Sequence, residues 1–182
     1  MNLTEDIIRA ISFASIKHKS QSRKGKKHIP YINHPIEVVR LLWEEGKVRD
    51  KSVLIAAILH DTIEDTHTTP EEIKETFGQE VLDLVLEVTD DKSLPKKERK
   101  RLQILHAPNA SKGAKQIKLA DKCSNLYDII HSPPDWPVER KMEYIWWAVS
   151  VVDGLRGANQ PLEDHFDQLV ELGNQTFVRE NI

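Results

Sequence analysis

Three observations predict an all-α fold of roughly eight to ten helices. Apolar residues recur at helical spacing along most of the chain. Ser, Thr, Asp, Pro and Gly fall where helices begin and end. No segment alternates apolar and polar residues for long enough to read as a strand. The first helix shows Ile7, Ile8, Ile11 and Ala14 after Thr4, a residue type suited to the N-cap. A second helix is expected from Pro35, with Ile36, Val38, Val39, Leu41 and Leu42 as its apolar face and Gly46 just past its end. The third, from about Lys51 to Asp61, is apolar nearly all round and should lie at the centre. Thr69, Pro70 and Glu72 form a capping-box pattern for a short helix that Gly78 ends, and Gln79 to Thr89 repeats the pattern with Val81, Leu82, Val85 and Val88. Pro95 opens a charged helix to about His106, and Ser111 to Ile130 reads as one long helix. Asp135, Trp136 and Pro137 start another that runs to Gly154 or Gly157, and Pro161 starts the last, ending near Gly173. The longest irregular piece is Ser20 to His34, and loops of that length inside compact domains are often functional.

At 182 residues the chain is expected to form a single domain, 1–182, large enough for an ordinary core. One Cys excludes an internal disulfide framework and a CxxC metal knuckle. The longest apolar stretches, 53–59 and 144–152, fall well short of the roughly 20 residues a bilayer needs. Acidic residues stand near the N-terminus where a secretory signal carries basic ones, so the cytoplasm is the expected compartment and no membrane partner is expected. A formal net charge of −3 argues against a dedicated nucleic-acid binder.

The informative residues are polar groups on apolar helices. Residues 53–59 run directly into His60, Asp61, Glu64 and Asp65. Four ionisable groups in six residues repel one another unless a cation or a proton network holds them. If the helical spacing persists, His60 and Glu64 share one face and Asp61 and Asp65 its neighbour. A divalent metal answers the charge, and imidazole with carboxylate suits Mn²⁺, Zn²⁺ or Fe²⁺. Further ligands must come from elsewhere. His34 stands just before the second helix, and Asp121 lies with Lys118 and Asn125 on one face of the long helix. Taken singly, such residues are more often caps and solvated positions; the combination on apolar helices is what points to a site.

The order His34, His60-Asp61, Asp121 matches the His…His-Asp…Asp pattern of the HD phosphohydrolase superfamily. The strings Pro30-Tyr-Ile-Asn-His-Pro35, Leu59-His-Asp-Thr-Ile-Glu-Asp-Thr66, Glu87-Val-Thr-Asp-Asp91 and Lys118-Leu-Ala-Asp-Lys122 with Asn125 are more specific. Together they resemble the hydrolase domain of RelA/SpoT homologues, most of all the small stand-alone alarmone hydrolases of the metazoan SpoT homologue type, over about residues 5 to 175. That resemblance implies an HD-type helical bundle and Mn²⁺-dependent removal of the 3′-pyrophosphate of ppGpp or pppGpp. It implies metal ligands at His34, His60, Asp61 and Asp121. Glu64 and Asp65 would be the acidic pair serving the attacking water. Arg23, Lys24, Tyr31, Lys96, Asn125, Arg140 and Tyr144 would be substrate contacts. Removal of the 2′-phosphate of NADPH is the alternative within the family, and a non-catalytic nucleotide-sensing module the alternative outside it. The chain is expected as a monomer or homodimer. One departure is the loop Arg23-Lys-Gly-Lys-Lys-His-Ile-Pro30, longer and more basic than in many bacterial members.

The polyanionic substrate so implied needs local positive charge. Lys17, Lys19, Arg23, Lys24, Lys26 and Lys27 supply one cluster, and Lys96, Lys97, Arg99, Lys100 and Arg101 a second, although most of the latter side chains are expected to face solvent. His18, His28, His67, His106, His131 and His165 lack partners at ligand spacing and are expected on the surface. Cys123 is expected to pack rather than react. Trp146 and Trp147 are expected in the core with at most one outward, and Trp136 as a cap or pocket wall.

Overall fold

The structure is a computed structural model that describes residues 2–23 and 28–179. Among these residues it contains ten α-helices and a short 3₁₀ turn, with no strand beyond a single bridge between Ser22 and Pro30. The helices are α1 Leu3–Lys17, α2 Asn33–Glu44, α3 Lys51–Leu59, α4 Thr62–Asp65, α5 Pro70–Phe77, α6 Gln79–Val88, α7 Lys96–His106, α8 Lys112–His131, α9 Val138–Asp153 and α10 Gln160–Arg179.

α3 sits at the centre for the reason its sequence suggests. The Asp50 side chain accepts from the N–H groups of Ser52 and Val53 and starts the helix, and every residue from Ser52 to Leu59 is buried. Burying each of its Val, Leu and Ile side chains is worth roughly 1.5–3 kcal/mol, so no face of α3 is left for water. α1, α2 and α6 pack around it. α8 is the second axis, packed against α2, α3, α6, α9 and α10, with Ile117, Leu119, Ala120, Cys123 and Leu126 buried. α7 buries none of its residues and leans chiefly on α9.

Several boundaries differ from expectation. Asn2, not Thr4, caps α1, accepting from the Thr4 N–H at 3.2 Å. α2 begins at Asn33, so His34 lies inside it, with Pro35 still within the first turn, where its missing N–H costs no helical bond. α10 passes straight through Gly173. A Cβ there would meet Ile145 Cδ1 at 2.8 Å, so the glycine serves a close helix approach instead of a stop. The consequential difference is at the end of α3. The helix stops at Leu59, His60 and Asp61 form a turn, and a separate single turn of helix, α4, carries Glu64 and Asp65. The shared face expected for His60 and Glu64 therefore does not exist as one helical stripe. The Thr69 and Glu72 capping box is present with both reciprocal bonds, and Gly78 closes α5 with φ +95°.

Candidate metal centre

α2 brings His34, the turn after α3 brings His60 and Asp61, and α8 brings Asp121 to one place. Ligand atoms of His34, His60 and Asp121 all lie within 4.8 Å of one another. His34 Nε2 is 3.1 Å from Asp121 Oδ1 and 3.8 Å from Asp61 Oδ2; His60 Nε2 is 3.0 Å from Asp61 Oδ2 and 3.8 Å from Asp121 Oδ1. Both imidazoles are oriented from behind. His60 Nδ1 donates to the Ala57 carbonyl at 2.7 Å, and His34 Nδ1 contacts the Ser124 hydroxyl at 3.0 Å. His60 Nε2 is buried without a hydrogen bond and faces the Asp61 and Asp121 carboxylates at 3.0 and 3.8 Å, a grouping of donors suited to a shared cation.

The electrostatics favour a cation. Burial holds the His34 imidazole below its usual value, in the neutral form a metal ligand needs. Burial also opposes charge on His60, but Asp61 and Asp121 outweigh it and push that ring up to about 9. Burial opposes charge on Asp121, yet Lys122, His34 and His60 hold it well below the carboxylate range. A field that draws a proton onto His60 draws a metal cation for the same reason. Two imidazoles and one or two carboxylates in a buried pocket thus suit a divalent metal.

These residues line one side of a cavity of about 510 Å³. Glu64 and Asp65 line it too. Glu64 Oε2 accepts from the Asp90 N–H at 3.0 Å, and Glu64 Oε1 lies 3.5 Å from Arg99 Nη1; Asp65 pairs with Lys92. Burial, with the carboxylates of Asp90, Asp61 and Asp65 and against the Asp90 N–H, pushes Glu64 up to about 7. Lys92, Lys96, Arg99 and Lys100 form a cationic rim, while Lys118, bonded to the Val88 carbonyl, and Lys122, buried and paired with Asp121, lie deeper in the wall. Three of these follow from α7, where Lys96, Arg99 and Lys100 stand at i, i+3 and i+4 and so share a face. That spacing was the available signal, and it shows that this helix is not simply a solvated surface. Trp136, Tyr144 and Trp147 supply an aromatic wall, with Tyr144 edge-on to Trp147 at 5.3 Å.

Of the expected substrate contacts, Lys96, Arg140 and Tyr144 line the cavity, Arg140 lying over the Trp136 ring at 4.2 Å and burial pushing the Tyr144 phenol up to about 12. Arg23 and Asn125 line it while already engaged. The Arg23 guanidinium binds Asp128 at 2.6 Å and Asn125 Oδ1 at 2.8 Å, and Asn125 Nδ2 donates to Asp121 at 2.6 Å. The Tyr31 hydroxyl is committed to Asp61. Lys24 lies outside the described residues, as do the lysines at 26 and 27.

The expectation for His18 is overturned. It is 2 % exposed, its Nδ1 lies 2.7 Å from Gln21 Oε1 and its ring stacks on Tyr31 with centroids 4.8 Å apart. Its near partner, Gln21, is not a metal-ligand residue type, and Tyr31 lies on a later segment, so a search for ligand residues at ligand spacing does not find it. His165 is half-buried, and His28, His67, His106 and His131 are exposed. Cys123 is buried with burial raising its thiol pKa, Trp147 is half-buried, and Trp146 faces outward.

Comparison with known proteins gives four findings. The HD domain family matches residues 10–147. Curated guanosine-3′,5′-bis(diphosphate) 3′-pyrophosphohydrolases named MESH1 are similar over nearly their full length. That of Xenopus tropicalis is 54% identical, covering 90% of this chain and 92% of its own, and that of Homo sapiens 51% identical with the same coverage. A solved structure described as a metazoan orthologue of SpoT that hydrolyses ppGpp superposes with a TM-score of 0.89 at 46% identity, covering 91% of this chain and 94% of that one. A Listeria monocytogenes structure, lmo0812, gives a TM-score of 0.65 at 31% identity, covering 79% of this chain and 98% of that one.

Proposed function

The chain belongs to the HD domain family, and from that membership we propose that it hydrolyses guanosine-3′,5′-bis(diphosphate) and its pentaphosphate analogue to GDP or GTP and pyrophosphate. The observation that carries this reading is a His, His, Asp group and an acidic pair inside one cavity rimmed by cations. His34, His60, Asp61 and Asp121 would hold the metal. Manganese is the ion we assign, as imidazole with carboxylate suits it; zinc or iron(II) would suit the same donors. When bound, such an ion supplies Lewis acidity, lowering the pKa of water toward about 7 and offsetting phosphate charge.

The chain's own residues do the rest. Lys96, Arg99 and Lys100 receive the 3′-pyrophosphate, whose charge they match. Glu64, held near 7, accepts the proton of the attacking water close to neutral pH. Asp65, paired with Lys92, orients that water from the same turn of helix. The water oxygen bonds to the phosphorus carried on the 3′ oxygen, the bond from that phosphorus to the 3′ oxygen breaks, and the 3′ oxygen takes up a proton from solvent as Glu64 later returns the one it accepted. Trp136 and Tyr144 offer faces for the base, beside Arg23 and Asn125.

Among the described residues no helix is long and apolar enough to cross a membrane. A reducing compartment such as the cytoplasm suits the single buried thiol. The test is purified protein with Mn²⁺ against ppGpp, NADPH and a nucleoside monophosphate, with products resolved chromatographically. Pyrophosphate released from ppGpp is the expected result. Phosphate released from NADPH alone would favour the 2′-phosphatase reading, and binding without turnover the sensing module.

A further inference from the structure

His18 presents a problem that packing does not solve. Its ring is buried and its Nε2 has no hydrogen-bond partner, an arrangement that costs stability and that an apolar side chain of similar shape would avoid. The other ring nitrogen explains the choice of residue. Nδ1 lies 2.7 Å from Gln21 Oε1, and Gln21 Nε2 lies 2.5 Å from the main-chain carbonyl of Asp65. A carbonyl only accepts, so the Gln21 amide must present its NH₂ to Asp65 and its oxygen to His18. His18 Nδ1 must then carry the hydrogen. The chain of donation runs in one direction, from His18 through Gln21 to the backbone of Asp65.

Asp65 is the last residue of α4, a helix of four residues. A single turn has too few internal bonds to hold itself, and its final carbonyls have no partner within it. Thr66 satisfies the Thr62 carbonyl through both its N–H and its hydroxyl. Gln21, from the loop after α1, satisfies that of Asp65. The same histidine stacks on Tyr31, whose hydroxyl donates to Asp61. Two contacts of one buried ring thus reach the two ends of the segment 61–65, which carries a ligand at its start and the acidic pair at its end.

We infer that His18 and Gln21 are positioning residues for the reaction: His18 aims the Gln21 amide, and Gln21 clamps the end of α4 so that the Glu64 and Asp65 carboxylates stay at their stations in the cavity. The inference rests on the reading of Glu64 and Asp65 given above. In this scheme neither side chain is assigned to holding substrate or metal; Gln21 borders the pocket given to the base, but its amide is committed to His18 and the Asp65 carbonyl, so its loss should lower turnover more than binding.

The test uses the full chain with Mn²⁺ and ppGpp, in variants that cut the relay at each end. Gln21→Met keeps length and removes both polar atoms. His18→Phe keeps the ring on Tyr31 and removes the donor. His18→Asn places an amide nitrogen near the position of Nδ1 and restores the donor without the ring. Both cutting variants should lose about tenfold or more in kcat with KM changed less than about twofold, because misplacing catalytic groups by about 1 Å costs that much or more. Bound manganese per chain should be unchanged, and His18→Asn should recover part of the loss. Folded Gln21→Met with kcat within about twofold of wild type would overturn the inference. So would a His18→Phe defect that His18→Asn leaves unrelieved, a loss of metal that parallels the loss of kcat, or failure of both cutting variants to fold by circular dichroism. Glu64→Gln is measured alongside. If it stays active, the catalytic reading itself fails; if it is dead while Gln21→Met is active, only the clamp fails.

Discussion

The Tyr31 hydroxyl donates to Asp61 Oδ2 at 2.5 Å, the same carboxylate oxygen that lies 3.0 Å from His60 Nε2. A residue from the loop before α2 thereby fixes a carboxylate in the turn after α3. Outer partners of this kind typically tune metal affinity by 10- to 100-fold, and Tyr31→Phe should weaken manganese binding by about that factor while leaving the fold intact. Competition against a chelator of known affinity measures it. Unchanged affinity would assign the Tyr31 hydroxyl to the substrate instead.

Removal of a ligand and removal of an acid should separate cleanly. Asp121→Ala takes away one of the three donors that lie within 4.8 Å of one another and should purify without metal. Glu64→Gln should retain metal and lose about 10²- to 10⁴-fold in kcat, the range expected for a general base. Elemental analysis alongside single-turnover hydrolysis distinguishes the two.

Turnover should also report the Glu64 proton. This carboxyl is pushed up to about 7, with the Asp90, Asp61 and Asp65 carboxylates around it and Arg99 and Lys92 as the facing cations, 3.5 and 3.9 Å away. A base works only deprotonated, so kcat/KM should rise with pH through about 7 and fall about tenfold per unit below it. A profile flat from about pH 5.5 to 8 would remove Glu64 from the role of base.

The cationic rim should make capture of substrate sensitive to salt. Between about 0.1 M and 1 M the screening length falls from about 10 Å to about 3 Å, so kcat/KM for ppGpp should drop several-fold while kcat changes little. Initial rates at matched pH and metal test this. Lys100→Met should reduce the salt sensitivity, since Lys100 lines the cavity.

Gly154→Ala should be a stability variant only. A Cβ there would meet Ala107 Cβ at 2.7 Å and Pro108 Cδ at 2.9 Å, neither of which can rotate aside. Overpacking of that sort costs about 1–3 kcal/mol, lowering Tm by roughly 2–4 °C per kcal/mol in a chain of this size. Specific activity of the folded fraction should match wild type.

Most of the helical order was legible because its signals are local. The Thr69 and Glu72 box, the all-round apolarity of 53–59 and the Ser111 cap each sit within a few residues of what they control. The break after Leu59 was not legible, because no Gly or Pro marks it: the His60 and Thr62 side chains take the Ala57 and Leu59 carbonyls, and Asp61 is held by Tyr31 from another segment. Gly173 read as a stop because its reason lies on α9, where Ile145 needs the space. His18 was misread because its significance depends on Asp65, 44 residues beyond Gln21. Spacing along one helix finds partners on that helix; it does not find a clamp thrown across from another segment.

The turn at His60 and Asp61 divides the molecule's labour at a seam. Behind it, α3 is anchored on every side and keeps its end stationary; ahead of it, α4 is a short graft secured by side chains from outside. The two can be altered separately. Replacing the acids of α4 while sparing the residues behind the seam would yield a protein that still captures the nucleotide and its ion but leaves them unchanged, and so a recognition reagent cut from a hydrolase.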